Sequence, residues 1–267
     1  MKVLELPNRG VLRLSGNDSK VLLQGLITND IKRLSSEPAI YAALLTPQGK
    51  YLFDFFIVSE GDDLLLDCEA SRSADLMRRL MMYRLRAEVD ITDISNSHKV
   101  YAIWDGDIGY SDPRSADIGN RLITDTTPSG DALSIATYEE KRLTLGLPDA
   151  SRDIMVDKTF ILEANFKELN GVSFTKGCYV GQELTARMNH RTTVKKRLLP
   201  IVSKNGELTS GIEIKNAEGK VIGDIRSVQD NRAIAFIKLE YIGSDSNFTA
   251  DGIDIEILVP NWLELSA

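Results

Sequence analysis

The sequence predicts an α+β protein that ends in a small all-β domain. In the first 96 residues the patterns run helix, hairpin, strand, helix and strand, an order typical of antiparallel strands beside helices. After residue 196, short Ile- and Val-rich runs alternate with Gly, Asn and Asp, as in a small barrel or sandwich. The 267 residues are 43% hydrophobic and 27% charged, which is the composition of an ordered globular protein.

The elements of the first part follow from local patterns. Apolar residues behind the capping candidates Asn17 and Asp18 predict a helix, with a break at residues 28–30. Two apolar runs on either side of a Pro/Gly turn predict a hairpin, and a third strand follows it. A second helix and a short alternating strand complete the set. The predicted spans are 17–34, 39–46 with 51–60, 62–68, 71–87 and 88–95.

The middle of the chain has weaker patterns. Residues 99–105 and 132–148 both carry strand-like runs, and a loop-rich stretch at 105–130 separates them. We therefore expect strands in both segments.

Charge and composition exclude several classes of protein. The formal net charge of −7 argues against a surface built for nucleic acid, so direct nucleic-acid binding is not expected. No apolar run reaches the roughly eighteen residues of a membrane helix, so no membrane partner is expected. The first residues lack the pattern of a signal or transit peptide. Cys68 and Cys178 show no disulfide framework, and together these features predict a cytoplasmic protein with reduced thiols.

Residues 176–183, KGCYVGQE, hold one of the two cysteines. The residues behind it have helical spacing, so Cys178 is placed at or just before a helix N-terminus. The helix dipole and the cation of Lys176 both favour a thiolate there, while Gly177 permits a positive φ and Gly181 a close approach. The alternative is a buried structural cysteine, which is the more common case for these residue types.

Two other features have both a functional and a structural interpretation. Glu163 lies among apolar residues, where a carboxylate needs a partner. A ligand with a guanidine-like edge would serve, and a protein arginine is the commoner partner. A basic stretch at 187–197 suits an anionic ligand tail or RNA, although cations near a helix C-terminus are common for structural reasons. Its basic residues are Arg187, Arg191, Lys195, Lys196 and Arg197.

Motifs for nucleotide binding and for hydrolysis are missing. The chain has no GxxxxGK[ST] loop, no GxGxxG after a strand and no GxSxG. His98 and His190 are its only histidines, and neither has zinc-finger spacing to a cysteine. We therefore expect no metal site.

Three segments, taken in order, resemble the folate-binding YgfZ proteins, which are relatives of the glycine cleavage T-protein, the aminomethyltransferase. They are LLQGLITNDI at 22–31, YAALLTPQGKYLFDFFI at 41–57 and LEANFKELNGVSFTKGCYVGQELTARM at 162–188. The resemblance covers nearly the whole chain, and KGCYVGQE is its most specific part. It implies two ferredoxin-like α+β subdomains, 1–96 and 97–195, and a C-terminal β-barrel, 196–267, around a central channel.

The resemblance also implies a function. These proteins bind tetrahydrofolate and support the assembly or repair of iron–sulfur clusters, so the expected cofactor is tetrahydrofolate or a folate derivative. The expected partners are folate and iron–sulfur client proteins or assembly factors, with tRNA-modifying enzymes among the clients. A single cysteine cannot hold a [4Fe–4S] cluster, which takes four thiolates, so Cys178 would act transiently.

Carried over residue by residue, the resemblance implies a thiol site and a folate site. The expected catalytic residues are Cys178 and Lys176. Glu163 falls where T-protein relatives have a Glu that meets the pterin ring, whose two adjacent N–H donors a carboxylate can accept. The other motif residues are Gly177, Tyr179, Gly181, Gln182 and Glu183. The expected folate contacts are Glu163, Asn29, Asp54, Tyr83 and Arg187.

The alternative function is a folate-dependent aminomethyltransferase, which transfers a one-carbon unit. Asp75 falls roughly where these enzymes keep their catalytic Asp, but the residues around it match poorly. T-proteins also lack the KGCYVGQE motif, so the resemblance favours the accessory factor over the transferase. A third interpretation, an RNA-associated protein that uses the basic stretch, conflicts with the net negative charge.

Overall fold

The architecture is that of a computed structural model, which describes residues 1–191, 194–243 and 247–265. The chain divides into two compact units. Unit 1 consists of Met1–Ser134 and Leu169–Leu184, and unit 2 consists of Ile135–Glu168 and Thr185–Ala267. Each unit is therefore built from segments that are distant in sequence.

Unit 1 contains helices and short, mostly antiparallel strands. The helices are α1 (Ser19–Leu26) and α2 (Ser73–Arg84). The strands are β1 (Lys2–Glu5), β2 (Arg9–Ser15), β3 (Ala39–Leu45), β4 (Tyr51–Glu60), β5 (Asp63–Glu69), β6 (Asp90–Asp93), β7 (Lys99–Trp104), β8 (Tyr110–Ser111), β9 (Asn120–Thr124) and β10 (Asp131–Ala132). Short 3-10 helices span Ile31–Ser35, Ala70–Arg72 and Ala116–Ile118.

Two five-stranded sheets form the framework of unit 1. One has the order β3-β4-β5-β2-β6, and the other has the order β10-β1-β7-β9-β8. Strand β3 is buried along its whole length. Leu23 of α1 and Leu76 and Leu80 of α2 pack into one apolar core with β4 and β5. The predicted hairpin, third strand and second helix are confirmed, while the first helix is shorter than predicted and ends at Leu26.

Both ends of α1 are held by other parts of unit 1. The predicted break at residues 28–30 is confirmed, and Asp30 caps the following 3-10 helix by accepting a hydrogen bond from the Lys32 N–H at 3.1 Å. Asp18 precedes α1 without capping it through its side chain. Its carboxylate instead accepts a hydrogen bond from the Glu88 N–H at 2.9 Å, so the segment after α2 holds the start of α1.

Buried ion pairs connect the two sheets of unit 1. Asp67 on β5 is fully buried and accepts hydrogen bonds from Arg9 Nε at 2.6 Å and Arg121 Nε at 2.9 Å. Arg121 lies on β9 of the other sheet, and its Nη1 is also 3.7 Å from a carboxylate oxygen of Asp112. Arg114 donates hydrogen bonds to the same carboxylate through Nε and Nη2. Burial opposes the ionisation of Asp112, but Arg114 and Arg121 outweigh it and hold the pKa of Asp112 below its ordinary value. The charges therefore support one another as a cross-link between the sheets.

Unit 2 contains the C-terminal barrel. Its helices are α3 (Ile135–Thr144) and α4 (Ala150–Asp153), and α5 (Gln182–Arg191) begins in unit 1 and continues into unit 2. The strands are β11 (Lys196–Ser203), β12 (Glu213–Asn216), β13 (Val221–Gln229), β14 (Arg232–Lys238), β15 (Phe248–Ala250) and β16 (Ile253–Ile257). They close into a barrel in the order β11-β14-β13-β12-β15-β16, which confirms the predicted C-terminal β-barrel.

The expectation of strands over 132–148 is wrong for most of that segment, because residues 135–144 form α3. The residues that α3 buries are Tyr138, Glu139, Arg142 and Leu143, which is helical spacing. Two of the four are charged. The apolar residues alone therefore do not show the helical period.

Arg142 is the centre of a buried polar cluster in unit 2. Its guanidinium donates hydrogen bonds to Glu139 at 2.9 Å, to the Leu147 carbonyl at 2.6 Å and to Ser227 Oγ at 2.9 Å. Burial opposes the ionisation of Glu139, but Arg142 and Arg152 outweigh it and hold the pKa of Glu139 below its ordinary value. Since Ser227 lies on β13, the cluster fixes α3 to the barrel.

Replacing Ser227 with alanine is expected to lower the free energy of unfolding by about 1 kcal/mol, because the buried Arg142 loses one hydrogen bond. Urea denaturation followed by circular dichroism measures the change. Ser210→Ala, at an exposed turn, is the control and should leave the midpoint unchanged. An equal effect of the two substitutions would contradict the role of Ser227 in the cluster.

Candidate functional site

The two cysteines of the chain differ in exposure. Cys68 is buried on β5 and Cys178 is exposed. Burial raises the pKa of the Cys68 thiol to about 12, so this thiol is inert near neutral pH. Cys178 lies between two buried residues, Lys176 and Tyr179. The interpretation of Cys178 as a buried structural cysteine is therefore wrong, and its loop, held on both sides, presents the residue to solvent.

The side chain of Lys176 anchors this loop to the end of α1. Its Nζ donates hydrogen bonds to the carbonyl oxygens of Gln24 at 2.8 Å, Ile27 at 2.6 Å and Asn29 at 2.8 Å. Carbonyls at a helix C-terminus lack partners within the helix and carry partial negative charge, so an ammonium group suits them. Burial lowers the pKa of Lys176 to about 8, and Asp30 opposes this shift. Since the three bonds account for all three N–H groups, the structure gives Lys176 a positioning role.

Gly181 is the point where the motif touches the hairpin of β3 and β4. Its φ is +81°, and a Cβ at this position would lie 2.4 Å from the Thr46 carbonyl oxygen. A Cβ on Gly49, in the hairpin turn, would lie 3.1 Å from the Gly181 carbonyl oxygen. The prediction that Gly181 permits a close approach is confirmed. The expectation for Gly177 is wrong, because this residue does not take a positive φ and the space beside its Cα is open.

The helix predicted behind the motif is α5, which begins at Gln182. The Gln182 side chain accepts a hydrogen bond from the Tyr179 N–H at 3.3 Å, and Glu183 is exposed in the first turn. The Val180 N–H donates to the Gly25 carbonyl of α1 at 3.2 Å. Cys178 therefore lies in a loop that α1 holds through both Lys176 and Val180.

Glu163 lies in unit 2 and is half-buried. Its Oε2 accepts a hydrogen bond from the Phe160 N–H at 3.0 Å, and its carbonyl accepts one from the Leu198 N–H on β11 at 3.0 Å. No arginine among the described residues pairs with this carboxylate. The commoner explanation of Glu163, a protein arginine as its partner, therefore finds no support.

The predicted folate residues Asn29 and Asp54 are buried in unit 1 and engaged in its fold. Asn29 Nδ2 donates to the carbonyls of Tyr41 at 2.8 Å and Asn170 at 2.7 Å. Asp54 accepts hydrogen bonds from the hydroxyls of Tyr41 at 3.0 Å and Tyr51 at 2.8 Å. The pKa of both tyrosines is raised, mainly by burial and further by the nearby Asp54 carboxylate. Asn29 also lines an open groove of about 340 Å³ in unit 1.

The other predicted residues lie on helices. Tyr83, near the end of α2, packs against the apolar core of unit 1. Arg187 is exposed on α5, and the side chain of Arg191 lies outside the described residues. Asp75 is exposed on α2 and pairs with Arg78 at 3.1 Å, so its surroundings do not support a role in aminomethyl transfer.

The structure brings the KGCYVGQE loop together with the end of α1. Among the predicted folate contacts, Asn29 lies beside this loop, because its carbonyl accepts a hydrogen bond from Lys176. Gln24, Gly25 and Ile27 also receive the loop through their carbonyls, and residue patterns do not reveal such contacts. The feature of the sequence that does point to these residues is the segment QGLITND, which is part of the resemblance to the YgfZ proteins.

A metal bound at Cys178 would need ligands from elsewhere. Among the described residues, no three His, Cys, Asp or Glu side chains are grouped so that they could hold a metal ion.

Within the part of the chain that the structure describes, no helix has the length and apolar character needed to cross a membrane.

Comparison with known proteins gives the chain a family. Residues 195–265 match the family model described as CAF17, C-terminal beta-barrel domain. The mitochondrial iron-sulfur cluster assembly factor IBA57 of Homo sapiens is 32% identical over 302 residues, which cover 96% of this chain and 84% of the human protein. The mitochondrial IBA57 homolog of Mycosarcoma maydis is 30% identical over 323 residues, which cover 96% of this chain and 80% of that protein.

Comparison with solved structures supports the fold. The glycine cleavage system aminomethyltransferase T of Bartonella henselae matches with a TM-score of 0.79 over 99% of this chain and 86% of that chain. The sequence identity is 13%, so the likeness concerns the fold and not the activity. The T-protein-like α+β fold with a C-terminal barrel is thereby confirmed.

The relatives also correct one prediction. The proteins of Homo sapiens, Mus musculus and Mycosarcoma maydis are all mitochondrial by name, which contradicts the predicted cytoplasmic location. They agree with the broader part of the resemblance, an iron–sulfur assembly factor with the aminomethyltransferase fold. Since the 32% identity to the human protein extends over 96% of this chain, the chain belongs to the family of the iron–sulfur cluster assembly factor IBA57.

Proposed function

We propose that this protein takes part in the assembly or repair of iron–sulfur clusters, with Cys178 as the thiol that binds iron or a cluster. The observation that carries the proposal is the exposure of Cys178 on an anchored loop. Lys176 and Gly181 hold that loop against α1 and the β3–β4 hairpin. A thiolate is a preferred ligand of iron–sulfur clusters, and a fixed loop loses little conformational entropy on binding. Relatives named as iron–sulfur cluster assembly factors support the same function.

One thiolate does not hold a cluster by itself. Clusters typically take four protein ligands, and the described residues contain no metal-binding group of three or more candidate ligands. Cys68 cannot join Cys178 at the surface, because it is buried in the core of unit 1. The missing ligands would come from a partner, either an assembly factor or a client enzyme, with tRNA-modifying enzymes among the clients. Cys178 would then be a shared, temporary ligand.

Replacing Cys178 with serine is expected to abolish the support of iron–sulfur enzymes while leaving the fold intact, because Cys178 is exposed. The test is complementation of a strain that lacks its own family member. The activity of a [4Fe–4S] enzyme is compared with that of an enzyme without a cluster. Cys68→Ala removes the other thiol and should retain function. Full activity with Cys178→Ser would contradict the role of the thiol.

Tetrahydrofolate is the ligand in the second part of the proposal. Glu163 supports it, because the Phe160 N–H uses Oε2, while Oε1 receives no hydrogen bond within the described residues. The aminopyrimidine edge of a pterin offers two adjacent N–H donors, which a carboxylate can accept. Asn29 and Asp54 add little direct support, because their side chains are engaged in the fold.

Calorimetric titration with tetrahydrofolate tests this second part. Glu163→Gln is expected to weaken binding about tenfold, since a charge-assisted hydrogen bond is lost. Glu140→Gln, at an exposed position on α3, is the control and should bind like the wild type. If the wild type shows no binding, the folate part of the proposal is wrong and the role of Cys178 is unaffected.

A further inference from the structure

We propose that a strip of unit 1, running from the end of α2 along α1 to Cys178, is the docking surface for an acidic protein partner. The inference rests on the proposed function of Cys178, because the partner would supply the remaining ligands of the shared cluster. The apolar residues of the strip are Met82, Leu85 and Val21. Their side chains would hold the partner beside the thiol, and the arginines around them would select it by charge.

The strip exposes apolar side chains to solvent. Leu85 is 86% exposed, Val21 is 71% exposed and Met82 is 66% exposed. Met82 lies in the last turn of α2 and Leu85 directly follows the helix, so both exposed side chains belong to the same end of α2. Single exposed apolar residues are ordinary, whereas a group of them marks a contact surface.

Leu85 is presented at a cost in backbone strain. It follows the last residue of α2 with φ 46° and ψ −104°, a region that residues other than glycine rarely adopt. Strain of this kind costs on the order of 1–3 kcal/mol and clusters at functional sites. Glycine would hold the turn without that strain. The exposed leucine side chain therefore needs another explanation, which contact with a partner provides.

Helix α1 connects this apolar end with the thiol. At its N-terminal end, Asp18 accepts a hydrogen bond from the Glu88 N–H, in the segment that follows α2. At its C-terminal end, the Gly25 carbonyl accepts one from the Val180 N–H, in the loop of the thiol. The helix has 8 residues, so these ends are about 12 Å apart, and Val21 is exposed between them. An ordinary interface, which buries about 800 Å² on each partner, spans this distance.

The charge of α2 indicates an acidic partner. Helix α2 and the three residues after it, residues 73–87, include 4 arginines and one acidic residue, Asp75, although the net charge of the chain is −7. Arg78 pairs with Asp75, while Arg79 and Arg86 form no ion pair within the described part of the chain. Arginine and methionine are enriched at protein interfaces and lysine is depleted, and the arginine fork matches a carboxylate. An acidic protein segment therefore fits this surface better than an anionic membrane, which attracts lysine equally well.

The first test removes the apolar contacts from the full chain in a deletion strain that it complements. Leu85→Gly combined with Met82→Ser relieves the strain, so the melting temperature should not fall. We expect the activity of a [4Fe–4S] enzyme to decrease at least about tenfold, as for the loss of an interface hot spot. Alkylation of Cys178 by iodoacetamide in the purified variant should proceed at the wild-type rate.

The matched control is Met155→Ser with Val156→Ser, a pair of exposed apolar residues in unit 2, which should keep full activity. Full activity of the Leu85→Gly, Met82→Ser variant overturns the inference. Cys178→Ser separates this result from the proposed function. If Cys178→Ser is inactive while the strip variant is fully active, the thiol function stands and the docking surface is wrong. If Cys178→Ser is fully active, the proposed function itself fails.

The second test identifies the chemistry of the partner. A photo-crosslinking residue, p-benzoylphenylalanine, replaces Val21 in the complementing chain. The expected adduct contains a protein segment rich in Asp and Glu, and it should disappear when Arg79→Glu and Arg86→Glu are added. An adduct that persists through this charge reversal, or an adduct with lipid alone, overturns the inference.

Discussion

Replacing Lys176 with methionine is expected to lower the free energy of unfolding of unit 1 by about 2–4 kcal/mol. Methionine keeps most of the buried aliphatic chain but removes the ammonium group. The carbonyls of Gln24, Ile27 and Asn29 then lose the donor they share. Buried carbonyls without a donor retain the cost of leaving water, and nothing offsets that cost.

The same variant should loosen the loop that carries Cys178. Hydrogen–deuterium exchange over residues 173–180 should become faster, because the loop can then open without breaking the three hydrogen bonds of Lys176. Support of iron–sulfur enzymes should decrease although the thiol is retained. Lys32→Met, at an exposed position of unit 1, is the control for the loss of a positive charge. Unchanged exchange in the Lys176→Met protein would show that the ammonium group does not anchor the loop.

Lys176 also makes the stability of unit 1 depend on pH. Burial lowers the pKa of Lys176 from its ordinary value of 10.5 to about 8. Between these two values the unfolded chain binds more protons than the folded chain, so the contribution of Lys176 to stability rises with pH. The difference in free energy of unfolding between the wild type and Lys176→Met should therefore grow from pH 8 to pH 10.5. A difference that shrinks over this range would contradict the burial of the amine.

Apolar spacing in the sequence predicts a helix or strand only where the residues that this element buries are apolar. The hairpin of β3 and β4 is predictable because both strands are continuous apolar runs around a Pro/Gly turn. Helix α3 is not, because it buries Glu139 and Arg142 on the face that apolar residues would otherwise mark. The barrel is predictable as a class from its short strands, whereas its strand order depends on pairings between distant segments.

The residues of the candidate site can be predicted from the sequence, but the groups that their side chains contact cannot. The sequence places a cation beside Cys178, which favours an interpretation of that cation as an aid to the thiol. In the structure, the Lys176 ammonium donates to backbone carbonyls of residues 24, 27 and 29. Backbone carbonyls are the same in every residue, so no residue pattern indicates them. Gly181 is predictable, because only a side chain reduced to hydrogen allows two backbones to approach so closely.

Replacing Asp67 with asparagine is expected to lower the free energy of unfolding of unit 1 by about 3–5 kcal/mol. Asparagine has nearly the same shape but no charge, so Arg9 and Arg121 stay buried without their shared counter-ion. Burial opposes the charge of Arg9, and Asp67 outweighs it, which raises the pKa of Arg9 above its ordinary value. Without Asp67 that support is lost, and since a guanidinium stays protonated in proteins, the buried charges must be tolerated and the cross-link between the two sheets weakens.

Thermal denaturation measures this effect, and the melting temperature of unit 1 should fall on the order of 10 °C. Asp63→Asn is the matched control on the same strand, because Asp63 lies 3.8 Å from Arg13 and both side chains are one-third exposed. An exposed pair of this kind contributes at most about 1 kcal/mol. Equal shifts for the two substitutions would mean that the Asp67 pair adds no more than a surface ion pair. A large shift for Asp67→Asn alone would show that a carboxylate within the apolar run LLLDC holds two sheets together through arginines distant in sequence.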